Sequence, residues 1–188
     1  MTPLNYIFIA LAVVVVAVVL IHNAIRKGRN AVTRSWADVL IYERQKLELV
    51  PRLEQIVTGF QAYERGLMER IAELRSGLGR MGTEPDGAAL AAVEKHSGEL
   101  MKALHVAVEA YPSASAVGPA RDLMGQLVQL QKEVTAALTI FNRNVELFND
   151  SLQVFPNGLV NAMVTRAKPV PAFSDPQASS SFSYAPNS

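Results

Sequence analysis

Cysteine is missing from the chain. That excludes disulfide scaffolds, thiolate zinc sites, thiol nucleophiles and acylated lipoprotein anchors. It leaves the redox compartment open, because a cysteine-free chain suits either side of a bacterial membrane. Aromatic residues make up only 7%, so any core must be mainly aliphatic. Net charge is scarce too: 18 Lys and Arg oppose 17 Asp and Glu, leaving +1, too little for a globally basic nucleic-acid binder. What is present is 188 residues, which suits one ordinary domain with an accessory segment rather than two full domains.

Charge is absent altogether from residues 1–25, and Leu4 to Ile21 form an apolar run broken only by Asn5 and Tyr6. At 1.5 Å per residue the run makes about 27 Å of helix, close to the hydrocarbon thickness of a bilayer. Helix is the one backbone state in which a single span satisfies itself in lipid. Residues 1–25 are therefore read as a transmembrane anchor, with Tyr6 at an interface. A cleaved secretory signal fits less well: the leading Met-Thr-Pro carries no side-chain charge, and Ala24 follows His22 at the candidate cleavage point. Arg26, Lys27, Arg29 and Arg34 all precede the first acid, Asp38. The positive-inside tendency then predicts a short N-terminus outside and the body in the cytoplasm, and the same cations can rest on anionic headgroups.

Beyond the anchor, apolar residues recur at spacings of three and four. A first segment carries Val32, Trp36, Val39, Leu40, Leu47 and Val50 and can continue the anchor helix towards Pro51. A second reads Leu53, Val57, Phe60, Glu64, Leu67, Ile71, Leu74 and Leu78, with Glu64 alone interrupting the line. The cluster Gly77, Gly79, Gly82, Pro85 and Gly87 has loop composition. A third segment runs from Leu90 to Tyr111, and a fourth from Leu123 to Leu152. Four amphipathic segments with short links predict an all-α protein, with residues 26–165 forming an antiparallel up-and-down four-helix bundle. The same stepping also suits a coiled coil, and self-association stays open. Residues 166–188, with prolines 169, 171, 176 and 186 and serines 179, 180, 181 and 183, read as a disordered tail or, with Phe173, Phe182 and Tyr184, as a short docking peptide.

No pattern points to chemistry. His22, His96 and His105 do not share a face as a metal pair, and there is no H-E-x-x-H, Walker loop or G-x-S-x-G. The expectation is no catalytic residue, no cofactor and no metal. Glu64 is read as a rim residue, or as paired with Arg44 or Arg143 if buried, since an unpaired buried charge is costly. Trp36 is read as a core anchor, and Asn142 and Asn149 as structural amides with partners across the bundle.

Several phrases stand out together: Trp36 within residues 32–64, then Val50-Pro51-Arg52-Leu53, then Val57-Thr58-Gly59-Phe60 leading to Tyr63-Glu64. Further on come Glu109-Ala110-Tyr111-Pro112, the pairs Phe141-Asn142 and Phe148-Asn149, and Phe155-Pro156-Asn157. The set resembles the LemA family, which has Tyr-Asn where this chain has its two Phe-Asn pairs. The resemblance implies a single-pass bacterial membrane protein with a helical-bundle domain, and it brings no catalytic residues. It associates the chain with envelope-related genes and, in one branch, with magnetosome membranes.

The expected function is a membrane-anchored, non-enzymatic interaction or scaffold protein. The alternative is a sensory or signalling component whose bundle binds a ligand. Expected partners are the lipid bilayer and membrane or envelope proteins, with no nucleic acid.

Overall fold

The computed structural model describes residues 3–60, 64–112 and 114–173. The chain is all-helical: α1 (Pro3–Val57), α2 (Glu64–Arg80), α3 (Gly87–Ala110), α4 (Val117–Ser151) and α5 (Asn157–Val160), followed by one π-helical turn (Asn161–Thr165). Among the described residues there is no strand. Two compact units divide it, one of residues 1–35 with 140–172, the other of residues 36–139 with 173–188. The long helices α1 and α4 contribute to both.

The first unit holds the apolar start of α1. This stretch has a mean hydropathy of 3.0, none of it is buried, and it is long and apolar enough to cross a membrane. Past it, Ile25 and Val32 are buried, as are Phe141, Val145 and Phe148 of α4 and Leu152 just after it. Gly28 lies between Ile25 and Val32 in the same stripe, and a Cβ there would stand 3.2 Å from Phe148 Cδ2. Gly28 thus makes room for an aromatic ring without interrupting the helix.

The chain after α4 is pinned by amide side chains. Asn149 Nδ2 donates to the Val170 carbonyl at 2.8 Å, and its Oδ1 accepts from the Val170 N–H at 2.9 Å. Asn161 makes the same reciprocal pair with Ala167. Asn149 is thus structural as expected, but its partner is the backbone of the C-terminal segment rather than another helix. Ala167 and Val170 are held in this way; the part of the predicted tail after Phe173, with Phe182 and Tyr184, lies outside the described residues.

In the second unit, four helices share one core: Val50, Leu53 and Val57 from α1, Leu67, Ile71 and Leu74 from α2, Leu100 and Leu104 from α3, and Leu123 and Leu127 from α4. Trp36 is fully buried, as predicted, and its Nε1 donates to the Gly82 carbonyl at 3.1 Å. Asp86 caps α3, its Oδ1 accepting from the N–H groups of Ala88 and Ala89 at 3.0 Å each.

Three boundaries depart from the periodicity. Helix α1 runs through Pro51 to Val57, because the exposed proline forfeits one helical bond while Leu53 and Val57 on the other face stay buried. The second apolar line is broken: the chain turns after Val57, with Gly59 N–H on Ile56 O and Phe60 N–H on Val57 O. Gly59 is needed at that turn, since a Cβ would lie 2.6 Å from the Ala116 Cβ. Glu64 therefore sits half-buried in the first turn of α2, where the helix dipole favours a carboxylate; Arg44, one of its two suggested partners, is exposed. Finally, Gly77 and Gly79 belong to α2 rather than to a loop. Gly77 is buried where a Cβ would lie 3.1 Å from Val93 Cγ2, so its smallness serves the close approach of α2 and α3.

Candidate functional site

The second unit contains one buried charged cluster. Lys46 is completely buried and Glu43 is 1% exposed. Both interrupt the inward stripe of α1 at a 3,4 spacing, Trp36, Val39, Glu43, Lys46 and Val50. Lys46 Nζ donates to Glu43 Oε1 at 3.2 Å, to Glu94 Oε1 of α3 at 3.0 Å and to Gln131 Oε1 of α4 at 2.8 Å. Three acceptors saturate the three donors of an ammonium group. Gln131 Nε2 also donates to Glu94 Oε2, closing a ring of bonds that joins three helices.

Two carboxylates against one ammonium would leave a surplus negative charge in a dry site, which is costly. The surplus is removed by a proton. Burial pushes the Glu43 carboxyl up to about 8, and its hydrogen bond to Glu94 and the Glu94 charge push the same way, against Lys46. The buried Glu43 Oε2 has no hydrogen-bond partner, and a proton on this carboxyl would leave the cluster neutral overall.

On the outside of the same unit, α2 and α3 frame a groove of about 450 Å³. Its apolar lining is Leu67, Ala103 and Val106, and Arg70, Glu99 and Lys102 supply charge. Arg70 Nη1 reaches Glu99 Oε2 at 3.3 Å. A side chain at Gly66 would enter open space, so the missing side chain is part of what leaves the groove free. The volume lies in the range of small-ligand pockets.

Beside the groove, Glu73, His96 and Glu99 bring their ligand atoms within 4.8 Å of one another. This is the described group that comes nearest to a metal set. His96 Nδ1 lies 3.5 Å from Glu73 Oε2 without a hydrogen bond between them, while Glu99 is engaged by Arg70 and, at 4.0 Å, by Lys95. The other two histidines lie apart from it. His105 faces Glu109 at 3.2 Å on the exposed side of α3, and His22 Nδ1 is 3.0 Å from Thr165 Oγ1 in the first unit. The buried ion cluster and the groove were not singled out by sequence reasoning. The cluster had a readable signal, since Glu43 and Lys46 fill the two gaps in an otherwise apolar stripe.

These features define a class: an all-helical protein whose first helix begins with an apolar stretch none of which is buried, and whose body carries a groove between two helices. The chain belongs to the LemA family, whose model matches residues 35–183. No match was found among curated proteins or among solved structures.

Proposed function

We propose that this protein is a membrane-tethered, non-enzymatic interaction module that recruits or organises other proteins at a bacterial membrane. The observation that carries the reading is α1 itself. It is one helix that starts as an exposed apolar stretch of spanning length and ends with Val50, Leu53 and Val57 in the core of the unit that bears the groove. In this reading residues 4–21 lie in the bilayer, and the four long helices form an antiparallel up-and-down bundle. The cations Arg26, Lys27, Arg29 and Arg34 keep that body on the cytoplasmic side of an inner or internal organelle membrane. Confinement to a surface raises the effective concentration of partners on the same membrane. The groove supplies an apolar floor with a charged rim, suited to a helix from a membrane or envelope protein or from a second copy.

The test uses Gly66. In Gly66→Leu the new side chain fills open space in the groove and leaves the core untouched. A photo-crosslinker at Lys102 in native membranes should capture a reproducible protein from the parent chain and lose it in Gly66→Leu. Equal capture by both chains would remove the groove from the proposal.

The size and charge of the groove also favour the second reading, a sensory component that binds a small ligand there. In that case a small molecule would raise the unfolding temperature of the parent chain but not of Gly66→Leu.

A further inference from the structure

The C-terminal segment of the first unit carries large apolar side chains on its outside that its own core leaves unexplained. Phe155 is 82% exposed and Met163 69%, with Leu159 and Val164 more than half exposed, while Val160 between them is buried. The segment is not loose. Asn161 and Asn149 fix its backbone, and the bond between His22 and Thr165 ties its end to the residue that follows the apolar stretch of α1. A short, one-sided apolar segment is thereby held at the point where the proposed span ends. Charge follows the same pattern. Arg26, Lys27 and Arg29 follow His22, Arg166 and Lys168 follow Thr165, and all five are exposed. No acid occurs from residue 22 to 37 or from 151 to 174.

We infer that Phe155, Leu159, Met163 and Val164 form a wedge that inserts into the headgroup and upper acyl region of the same bilayer that α1 spans. This rests on the reading of residues 4–21 as a span. With about 27 Å of helix before it, His22 stands at the hydrocarbon boundary. Thr165, bonded to it, shares that level, and the side chains beside Thr165 reach the depth at which interfacial segments bury their apolar faces. The five cations meet lipid phosphates at the adjoining level. The occupant is lipid rather than protein because the segment is tied through Thr165 to His22 at the end of the lipid-facing stretch, and the charges that follow both residues are cationic. The protein would thus touch its membrane twice, through a spanning helix and through a surface wedge.

The absence of native cysteine makes the test direct. Phe155→Cys, Met163→Cys, Val13→Cys in the span and Val106→Cys on α3 are each labelled with an environment-sensitive fluorophore. The full chain is reconstituted in vesicles of phosphatidylcholine and phosphatidylglycerol that contain nitroxide lipids at a shallow or a deep position. Labels at 155 and 163 should emit to the blue of the label at 106 and be quenched more by the shallow nitroxide. The label at 13 should be quenched more by the deep one, and the label at 106 by neither. Water-like, unquenched emission at 155 and 163, with position 13 still quenched, overturns the wedge and leaves the span standing. A blue shift there without quenching assigns the patch to a protein contact and also overturns it. Loss of quenching at position 13 as well would show that the span itself had failed.

Discussion

Gln131 Oε1 on α4 lies 2.8 Å from Nζ of Lys46 on α1, the shortest of the three bonds that saturate a fully buried ammonium. No apolar residue could replace this arrangement one side at a time. Removing the ammonium leaves Glu43 buried without its donor and takes a bond from the half-buried Glu94 and Gln131, and removing a partner leaves a donor unmet. Lys46→Ala should lower unfolding stability by about 3–5 kcal/mol, read by denaturant unfolding in detergent. A loss below about 1 kcal/mol would mean that the buried cluster contributes little.

The proton at Glu43 makes stability depend on pH. Its carboxyl titrates near the ordinary carboxylate value of 4.5 when unfolded and at about 8 when folded. Between those values the folded chain holds a proton that the unfolded chain has released. The contribution is fully present below pH 4.5 and is lost as pH rises through about 8, with a slope of at most about 1.4 kcal/mol per pH unit. Glu43→Gln keeps an acceptor for Lys46 and a donor for Glu94 while removing the titration. It should remain within about 1 kcal/mol of the parent at pH 6 and flatten the profile between pH 5 and 8. An unchanged slope in Glu43→Gln would place the proton elsewhere.

Gly59 is a position where space, rather than backbone conformation, demands glycine. The Ala116 Cβ that a new methyl would meet at 2.6 Å is fixed to its backbone and cannot rotate away. Gly59→Ala should destabilise by about 1–3 kcal/mol, whereas Gly66→Leu, facing open space, should leave the unfolding temperature unchanged or slightly raised. Equal effects at the two glycines would contradict the packing described.

Trp36 combines a buried ring with a bond from Nε1 to the Gly82 carbonyl at 3.1 Å. Trp36→Phe loses the bond and part of the volume, and should lower stability by about 1–3 kcal/mol. A change within experimental scatter would mean that Trp36 does not hold the α2–α3 link in place.

The helical class and most of its elements were legible because the buried faces of the four long helices repeat at three and four, and Pro112 and Pro156 follow two of them. Membership in the family was legible from the phrases around Trp36, Gly59 and Phe155. The break at Gly59 was not, since Phe60 and Leu67 continue the apolar spacing across the turn and the close approach of Ala116, which requires glycine there, is a tertiary contact. Gly77 misled for the converse reason: glycine reads as a loop, yet in a helix its smallness admits Val93. The place of Glu43 and Lys46 in the apolar stripe was readable, but their partners were not, since Glu94 and Gln131 lie 48 and 85 residues further along the chain than Lys46. The C-terminal wedge was likewise invisible in one dimension, since nothing in the spacing of His22 and Thr165 says that they meet.

The claim on which the functional reading depends is that residues 4–21 hold the protein in a bilayer. It is tested most directly by washing membranes that contain the full-length chain with alkaline carbonate. The account predicts that the chain stays in the pellet and that a chain beginning at Arg26 is largely released. Recovery of the full-length chain in the supernatant would contradict it.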